Sequence, residues 1–293
     1  MTHLTLVVTC TDRKTLAPHR QTTVRELPDG PVAERCAWWR ERIDSAPVYC
    51  SLESLYKGES WRQSLALRDE LAAGEPLRAL VASAGLGLQE MDSHHPSYAA
   101  TFSQGHQDTV CPTVDTSTWW RELRSLQGAV DLRQLTGRVM AVLSVAYARA
   151  LHPDLLELAQ KSNVELLVVG GWRDIPGATR VPADRALRAE LGGTVSGLLP
   201  RIARRYIALA DSAPLTSPEA LRAWHEWRKS VRMVETYDRS PLTDQEVQAF
   251  IESMRREEPT ISATRALRAL REAGYACEQK RFGRLFAMAQ EAA

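Results

Sequence analysis

Four short runs of apolar residues constrain the fold of this chain more than any other feature of its sequence. They predict buried β-strands over residues 4–8, 79–82, 138–145 and 164–169. The first and last runs lack polar alternation, which indicates strands covered on both faces. Helical periodicity occurs between the runs, over residues 31–43, 60–73 and 153–160. This alternation predicts an α/β fold in three layers, with helices on both faces of a mostly parallel sheet.

The composition argues against several classes of protein. A formal net charge of +1 is too small for a general attraction to nucleic acid, so any attraction must come from local patches. The five cysteines are scattered without a Cys-x-x-Cys pair, which argues against zinc and indicates a reduced, cytoplasmic compartment. No apolar run approaches the roughly 20 residues of a membrane span, and the N-terminus resembles a strand rather than a signal peptide. No motif indicates a cofactor.

Residues 240–293 carry a second informative pattern. A capping box at Thr243 and Glu246, a stop at Pro259 and a turn at Gly274 predict three short helices. Two helices joined by a glycine-containing turn have the spacing of a helix-turn-helix. Between residues 262 and 284 there are six cations and two anions. We expect nucleic-acid contacts from Arg265, Arg268, Gln279, Lys280, Arg281 and Arg284. The alternative is a solvated helical cap with ordinary surface arginines.

These patterns divide the chain into three parts. Residues 1–211 form the α/β domain, residues 212–239 a basic linker helix, and residues 240–293 the helix-turn-helix-like module. The linker helix begins at Ser217 and Pro218, which are good N-cap and first-turn residues. Its alternative interpretation is a helix that docks on the sheet domain.

Polar residues follow each predicted strand. Ligands of open parallel sheets bind beyond the carboxyl ends of the strands, so these residues are candidates for a substrate site. They are Thr11, Asp12, Arg13 and Lys14 after the first strand, Ser83 and Gly85 after the second, Ser144 at the end of the third, Gly171, Trp172 and Arg173 after the fourth, and Tyr56 and Lys57 before a helix. The glycines would let a ligand approach the backbone, but they match neither a dinucleotide nor a P-loop fingerprint. Polar loops and tight turns are the alternative at each position.

The irregular segment 92–108 is long for a compact domain, which favours a functional role. Tyr98 and Phe102 could stack on a planar base, and Asp92 and Asp108 could orient water. His94, His95 and His106 are potential metal ligands, but adjacent histidines point in different directions, so we expect no metal. The sequence therefore offers three carboxylates, Asp12 among them, for one catalytic role.

The motifs together resemble a family of bacterial antiphage DNA glycosylases that remove hypermodified cytosines and are similar in architecture to uracil-DNA glycosylases. The residues that carry the resemblance are 10–14, 55–58, 83–88, 98–103 with Asp108, and 274–282. The resemblance implies that a modified base of double-stranded phage DNA is flipped into a pocket and hydrolysed off, leaving an abasic site. Asp12 occupies the place of the water-activating aspartate of uracil-DNA glycosylases. The chain has no Gly-Gln-Asp-Pro-Tyr-like run, and no His-Pro-Ser-Pro-like run follows its last strand; His95-Pro96-Ser97 occurs much earlier. Asp92 and Asp108 therefore stay as alternatives to Asp12.

Three hypotheses follow from the sequence. The first is a DNA glycosylase, with Arg13 and Lys14 among its DNA contacts. The second is a hydrolase or transferase that acts on free nucleosides or nucleotides. The third is a DNA-binding regulator without catalytic activity. No protein partner is indicated, and a monomer is the default expectation.

Overall fold

The computed structural model describes residues 4–47, 50–110, 116–211, 213–234 and 238–291. The chain divides into two compact units, Met1–Met233 and Val234–Ala293. The first unit is an α/β structure around one sheet, and the second is a small group of helices with its own apolar core. Among the cysteines, Cys10, Cys36, Cys50 and Cys277 are free thiols, and Cys111 lies outside the described residues.

The first unit contains eight strands within its described residues. They are β1 (Leu4–Thr9), β2 (Cys50–Ser51), β3 (Leu77–Ser83), β4 (Gly87–Glu90), β5 (His94–His95), β6 (Gly137–Leu143), β7 (Val164–Gly170) and β8 (Thr179–Val181). Six of them form one sheet in the order β4-β3-β1-β6-β7-β8. Every neighbouring pair is parallel except β3 and β4. The predicted mostly parallel sheet is therefore confirmed.

Nine α-helices accompany these strands in the described part of the first unit. They are α1 (Val32–Ser45), α2 (Leu52–Leu55), α3 (Glu59–Gly74), α4 (Thr116–Glu122), α5 (Val145–Ala150), α6 (His152–Ala159), α7 (Arg188–Leu191), α8 (Leu198–Ala210) and α9 (Pro218–Val231). α8 packs against β6, β7, α3 and α9. α6 packs against β7 and contacts α5, which belongs to a second group of helices with α4 and α1. The last five residues of β6 and of β7 are all buried, which requires cover on both faces of the sheet.

Helix α9 belongs to the first unit, unlike the separate linker helix predicted over residues 212–239. Trp224 is fully buried and lies 5.9 Å from Tyr206 of α8, ring centroid to centroid. Arg228 and Arg232 both pair with the carboxylate of Asp184. Burial of Trp224 and the two ion pairs with Asp184 hold this helix on the sheet domain, which is the alternative that the sequence left open. Residues 212 and 235–237 lie outside the described residues.

The second unit contains β9 (Ser240–Pro241), α10 (Asp244–Glu257), α11 (Ala263–Glu272), β10 (Tyr275–Ala276) and α12 (Gln279–Glu291). The capping box at Thr243 and Glu246 is present, with both of its hydrogen bonds. The core is built from apolar side chains of all three helices, including Val247, Leu270 and Phe282. The predicted three helices are confirmed, whereas the short parallel pairing of β9 with β10 is an addition. None of the helices in the described residues is long and apolar enough to cross a membrane.

Candidate active site

The carboxyl edge of the sheet, where β1, β3, β6 and β7 end, has a crevice-forming topology. The chain passes from β1 to β3 on one side, while β6 pairs with β1 on the other side. Loops that leave β1 and β6 therefore diverge, and such a switch point is where open α/β sheets bind ligands. Residues 10–14 leave β1 at this point, and residues 144–147 leave β6.

Three hydroxyl groups form a buried chain behind this crevice. The hydroxyl oxygen of Tyr98 lies 2.6 Å from that of Tyr56 and 2.5 Å from Ser83 Oγ. Ser83 Oγ also accepts hydrogen bonds from the backbone N–H groups of Gly85 and Leu86. Burial raises the pKa of both tyrosines well above the usual value, so both phenols keep their protons. The structure thus brings together three residues that the sequence placed in one site.

Cys10 and Tyr147 lie beside this hydroxyl chain. The Tyr147 hydroxyl lies 3.0 Å from Cys10 Sγ and accepts a hydrogen bond from the backbone N–H of Ala84. Burial, and next the nearby Cys10, raise the pKa of the Tyr56 phenol. Neither Cys10 nor Tyr147 is among the site candidates predicted from the sequence. Their position directly after β1 and β6 is the signal that could have found them.

Asp12, His106 and Asp108 form a second group at the crevice. His106 Nε2 lies 4.0 Å from Asp12 Oδ2, and Nδ1 lies 3.9 Å from Asp108 Oδ2. The backbone N–H of Asp108 donates to Nδ1, so a neutral imidazole carries its hydrogen on Nε2, facing Asp12. The Asp12 side chain is 68% exposed, whereas that of Asp108 is buried beside Arg25, with Oδ1 3.3 Å from Arg25 Nε. Of these two carboxylates, Asp12 is therefore the one that solvent can reach.

Lys14 lies between the two groups. Its Nζ is 4.3 Å from the ring centroid of Tyr98 and 5.7 Å from that of Tyr56, and it donates to the backbone carbonyl of Asp12. A bridge from Lys14 to Tyr56 holds the loop in place. Burial lowers the pKa of Lys14, and the nearby Cys10 thiol offsets part of this effect. The side chain is therefore held over tyrosine rings and is not extended into solvent as a phosphate contact.

The exposed cations at this edge are different residues. Arg13 and Lys57 are exposed. Thr11 lies between them. Its Oγ1 is 3.2 Å from the backbone carbonyl oxygen of Arg13 and 3.2 Å from that of Lys57, so its hydroxyl can donate to either. These three residues surround the loop that carries Asp12.

Three predicted members of the site have structural roles that the sequence did not show. A Cβ on Gly85 would come within 2.4 Å of the Tyr98 ring, so glycine is needed for packing and leaves no room for a ligand. The Tyr98 ring is enclosed by Gly85, Lys14 and the edge of Trp39. Phe102 is likewise buried, against Tyr147.

Asp92 lies away from the carboxyl edge. β4 runs antiparallel to β3, with Gly87 opposite Ser83 and Glu90 opposite Leu80, so the chain moves toward the amino ends of the parallel strands. Asp92 follows β4 there and is exposed. The antiparallel turn of β4 therefore separates Asp92 from the other two aspartates.

A surface cluster lies at the end of β7. Trp172 is 38% exposed, and its ring lies 4.2 Å from the guanidinium carbon of Arg173 and 5.3 Å from that of Arg149. His152 packs against the same ring and contacts Arg173. Gly171 precedes this cluster with φ 68°. An exposed indole flanked by two guanidiniums can stack on a nucleobase near phosphates.

The remaining candidates lie apart from this cluster or carry no ligand geometry. Ser144 is half-buried and is the N-cap residue of α5. His94 and His95 form β5, which pairs with β2, whereas His106 lies beside Asp12. Within the described residues, no group of three or more His, Cys, Asp or Glu side chains is arranged to hold a metal ion.

The second unit pairs most of its candidate DNA-binding arginines with its own acids. Arg265 pairs with Glu258, Arg268 with Glu272, and both Arg281 and Arg284 pair with Asp244. Gln279 and Lys280 are exposed at the start of α12. Over residues 234–293 there are nine lysines and arginines against ten aspartates and glutamates, so the unit has a net charge of −1. The basic segment is real, but acids of α10 and its flanks balance it.

Comparison with known proteins gives no relative. No protein-family model, curated protein or solved structure matches the chain. The geometry of the carboxyl edge is therefore the main guide to function.

Proposed function

We propose that this protein is a DNA glycosylase that flips out a modified base and hydrolyses its N-glycosidic bond, leaving an abasic site. The observation that carries the proposal is the exposed Asp12 carboxylate at the switch point, with His106 Nε2 4.0 Å away. The resemblance to antiphage glycosylases suggests a hypermodified cytosine of double-stranded phage DNA as the substrate. A uracil-DNA-glycosylase-like architecture is part of the same proposal.

The chemistry needs a carboxylate beside the anomeric carbon. Cleavage passes through an oxocarbenium-like state, which a carboxylate stabilises while it positions the attacking water. In our proposal Asp12 takes one water proton as the water oxygen bonds to C1′ and the C1′–N bond breaks. The departing base anion then takes a proton from solvent, and Asp12 returns its proton to solvent. The Nε2–H of His106 faces Asp12 and orients its carboxylate. Asp108, buried beside Arg25, positions His106 through its backbone N–H.

The surrounding side chains suit a DNA strand. Arg13 and Lys57 are exposed around Asp12 and can contact phosphates. Trp172, flanked by Arg149 and Arg173, offers an aromatic face for an unpaired base. Flipping leaves the flipped base and the base opposite it unpaired, and an aromatic face at the edge of this site could stack on one of them.

The proposal is tested by base release. Phage DNA that carries modified cytosine and matched unmodified DNA are incubated with the full chain, then treated with alkali, which cleaves abasic sites. We expect cleavage of at least one modified DNA and none of the unmodified DNA. If no DNA across a panel of modified phage genomes is cleaved, the glycosylase proposal is wrong.

A second function has an observation of its own. The net charge of −1 on the second unit and the pairing of its arginines favour an enzyme that acts on free nucleosides or nucleotides. Release of free base from nucleosides distinguishes it, because the glycosylase requires a DNA strand. DNA binding is also measured for the full chain and for a Lys280→Ala, Arg281→Ala variant. Binding without base release on any substrate would instead support the regulator.

A further inference from the structure

We propose that Lys14 is a nucleophile that forms a Schiff base with C1′ of an abasic deoxyribose, so that the protein also cleaves the DNA strand. This inference rests on the proposed function, because the abasic site is the product of base release. It adds an activity, a lyase step, and a covalent intermediate to that function.

The use of lysine at this position is chemically informative. The chain has 32 arginines and only five lysines. Arginine stays charged and cannot act as a nucleophile, whereas a lysine amine can lose its proton and attack a carbonyl carbon. Most of the positive charge of this chain comes from arginine, yet position 14 in the crevice carries a lysine and therefore a primary amine. Arginine would meet a requirement for positive charge alone equally well.

The position of the amine supports the assignment. Nζ is held over the rings of Tyr98 and Tyr56 and lies 3.3 Å from the backbone carbonyl oxygen of Asp12. The nucleophile thus lies next to the residue that is proposed to act at C1′. The loop cannot easily move it, because Thr15 N–H donates to the Leu55 carbonyl oxygen and Lys57 N–H donates to the Arg13 carbonyl oxygen.

The surroundings of Lys14 favour the neutral amine more than water does. The side chain packs on two tyrosines, and this burial lowers the pKa of Lys14. The charged groups that face it are Asp12 and Asp108, which act in the opposite direction together with the Cys10 thiol, and burial outweighs them. A lower pKa increases the fraction of amine that carries a free electron pair at neutral pH.

The reaction needs no external oxidant or reductant. The Nζ electron pair forms a bond to C1′ of the open-chain aldehyde, and loss of water gives the iminium. A carboxylate, for which Asp12 is placed, removes a C2′ proton, and the C3′–O bond breaks as the 3′ phosphate leaves. Water then hydrolyses the iminium, which returns the Lys14 amine and leaves an unsaturated aldehyde on the DNA.

The experiment traps the iminium on a preformed abasic site. A synthetic duplex with one abasic deoxyribose is incubated with the full chain and sodium borohydride, which reduces an iminium to a stable amine. The covalent adduct is measured on a denaturing gel, and its peptide is located by mass spectrometry. We expect an adduct on Lys14, and its loss in Lys14→Arg, which keeps the positive charge but has no nucleophilic amine.

Lys229→Arg is the matched control, because Lys229 is exposed on α9, outside the site; it should form the adduct as the unchanged chain does. Peptide mapping of the unchanged chain keeps the test decisive even if Lys14→Arg does not fold. No adduct, an adduct on another amine, or an undiminished adduct in a folded Lys14→Arg variant would overturn the inference. Because the abasic site is supplied, failure here leaves base release untouched. Absence of base release alongside a Lys14 adduct would overturn the glycosylase proposal alone.

Discussion

Charged side chains have different partners at the carboxyl edge of the sheet and in the second unit. At the edge, the exposed Asp12 carboxylate lies 4.0 Å from His106 Nε2, and Lys14 is held over tyrosine rings. In the second unit, Arg281 and Arg284 share one aspartate, Asp244. A paired surface charge contributes little to the binding of another partner until its own partner is displaced. The difference indicates that the charged side chains of the carboxyl edge are better placed to act on a bound molecule than those of the second unit.

The largest expected effect is on base release by Asp12→Asn. Loss of a positioned carboxylate removes general-base and charge stabilisation, so we expect release to fall by about 100- to 10,000-fold. The measurement is alkali-sensitive cleavage of modified DNA under single-turnover conditions. Asp92→Asn is the control, because Asp92 is exposed beyond β4, and it should release base at the unchanged rate. Equal loss in both variants would contradict the assignment of Asp12.

Substitution of one glycine in each of the same two regions tests how tightly each region is packed. Gly85→Ala would bring a methyl group within 2.4 Å of the Tyr98 ring, and overpacking of this kind lowers the free energy of unfolding by about 1–3 kcal/mol. Gly283→Ala on α12 meets no atom within 4 Å and should raise it by up to about 1 kcal/mol. Urea denaturation measures both. A stable Gly85→Ala variant would show that the contact with Tyr98 is easily relieved.

Removal of Arg25 tests the buried partner of His106. Arg25→Ala leaves the buried Asp108 carboxylate without its ion pair, and we expect a loss of about 1–2 kcal/mol of unfolding free energy, limited because Arg25 is partly exposed. Arg20→Ala breaks the exposed pair with Glu26 and should change little. Thermal unfolding of the two variants side by side is the measurement. Equal losses would mean that Asp108 does not depend on Arg25.

The smallest effect is expected in the second unit. Asp244→Asn removes the partner of Arg281 and Arg284, so duplex DNA binding should tighten severalfold, and the slope of log K against log salt should steepen by roughly 1–2. Fluorescence anisotropy over a salt series measures both quantities. Lys280→Ala should weaken binding, since Lys280 is exposed at the start of α12. An unchanged salt slope in Asp244→Asn would mean that this face does not contact DNA.

Much of the fold could be predicted from the sequence, because buried strands leave continuous apolar runs. β1, β3, β6 and β7 match the four predicted runs, and the third run extends past Leu143 into α5. β4 and β8 were not predicted because they have four and three residues. The docking of α9 depends on the burial of Trp224, which periodicity alone does not decide.

The site was harder to predict than the sheet. The sequence placed Asp12, Lys14 and Ser83 at strand ends, and the structure brings them to one edge. The sequence could not show that β4 turns back and separates Asp92 from the carboxyl edge. A short apolar run has the same sequence pattern in a parallel strand and in an antiparallel strand. The sequence also overstated the basic segment of the second unit, because pairing with Asp244 on another helix is invisible in a local count of charges.

The buried hydroxyl chain has a fixed polarity. Both lone pairs of Ser83 Oγ are occupied by backbone N–H groups, so its own hydrogen must go to Tyr98. Tyr98 then donates to Tyr56. Outside this hydroxyl chain, Tyr147 accepts a hydrogen bond from the backbone N–H of Ala84, and its hydroxyl lies 3.0 Å from Cys10 Sγ, where either group can donate. The O–H groups of Ser83 and Tyr98 therefore both point along the chain toward Tyr56, so a Tyr56→Phe substitution would leave the Tyr98 hydroxyl without its acceptor.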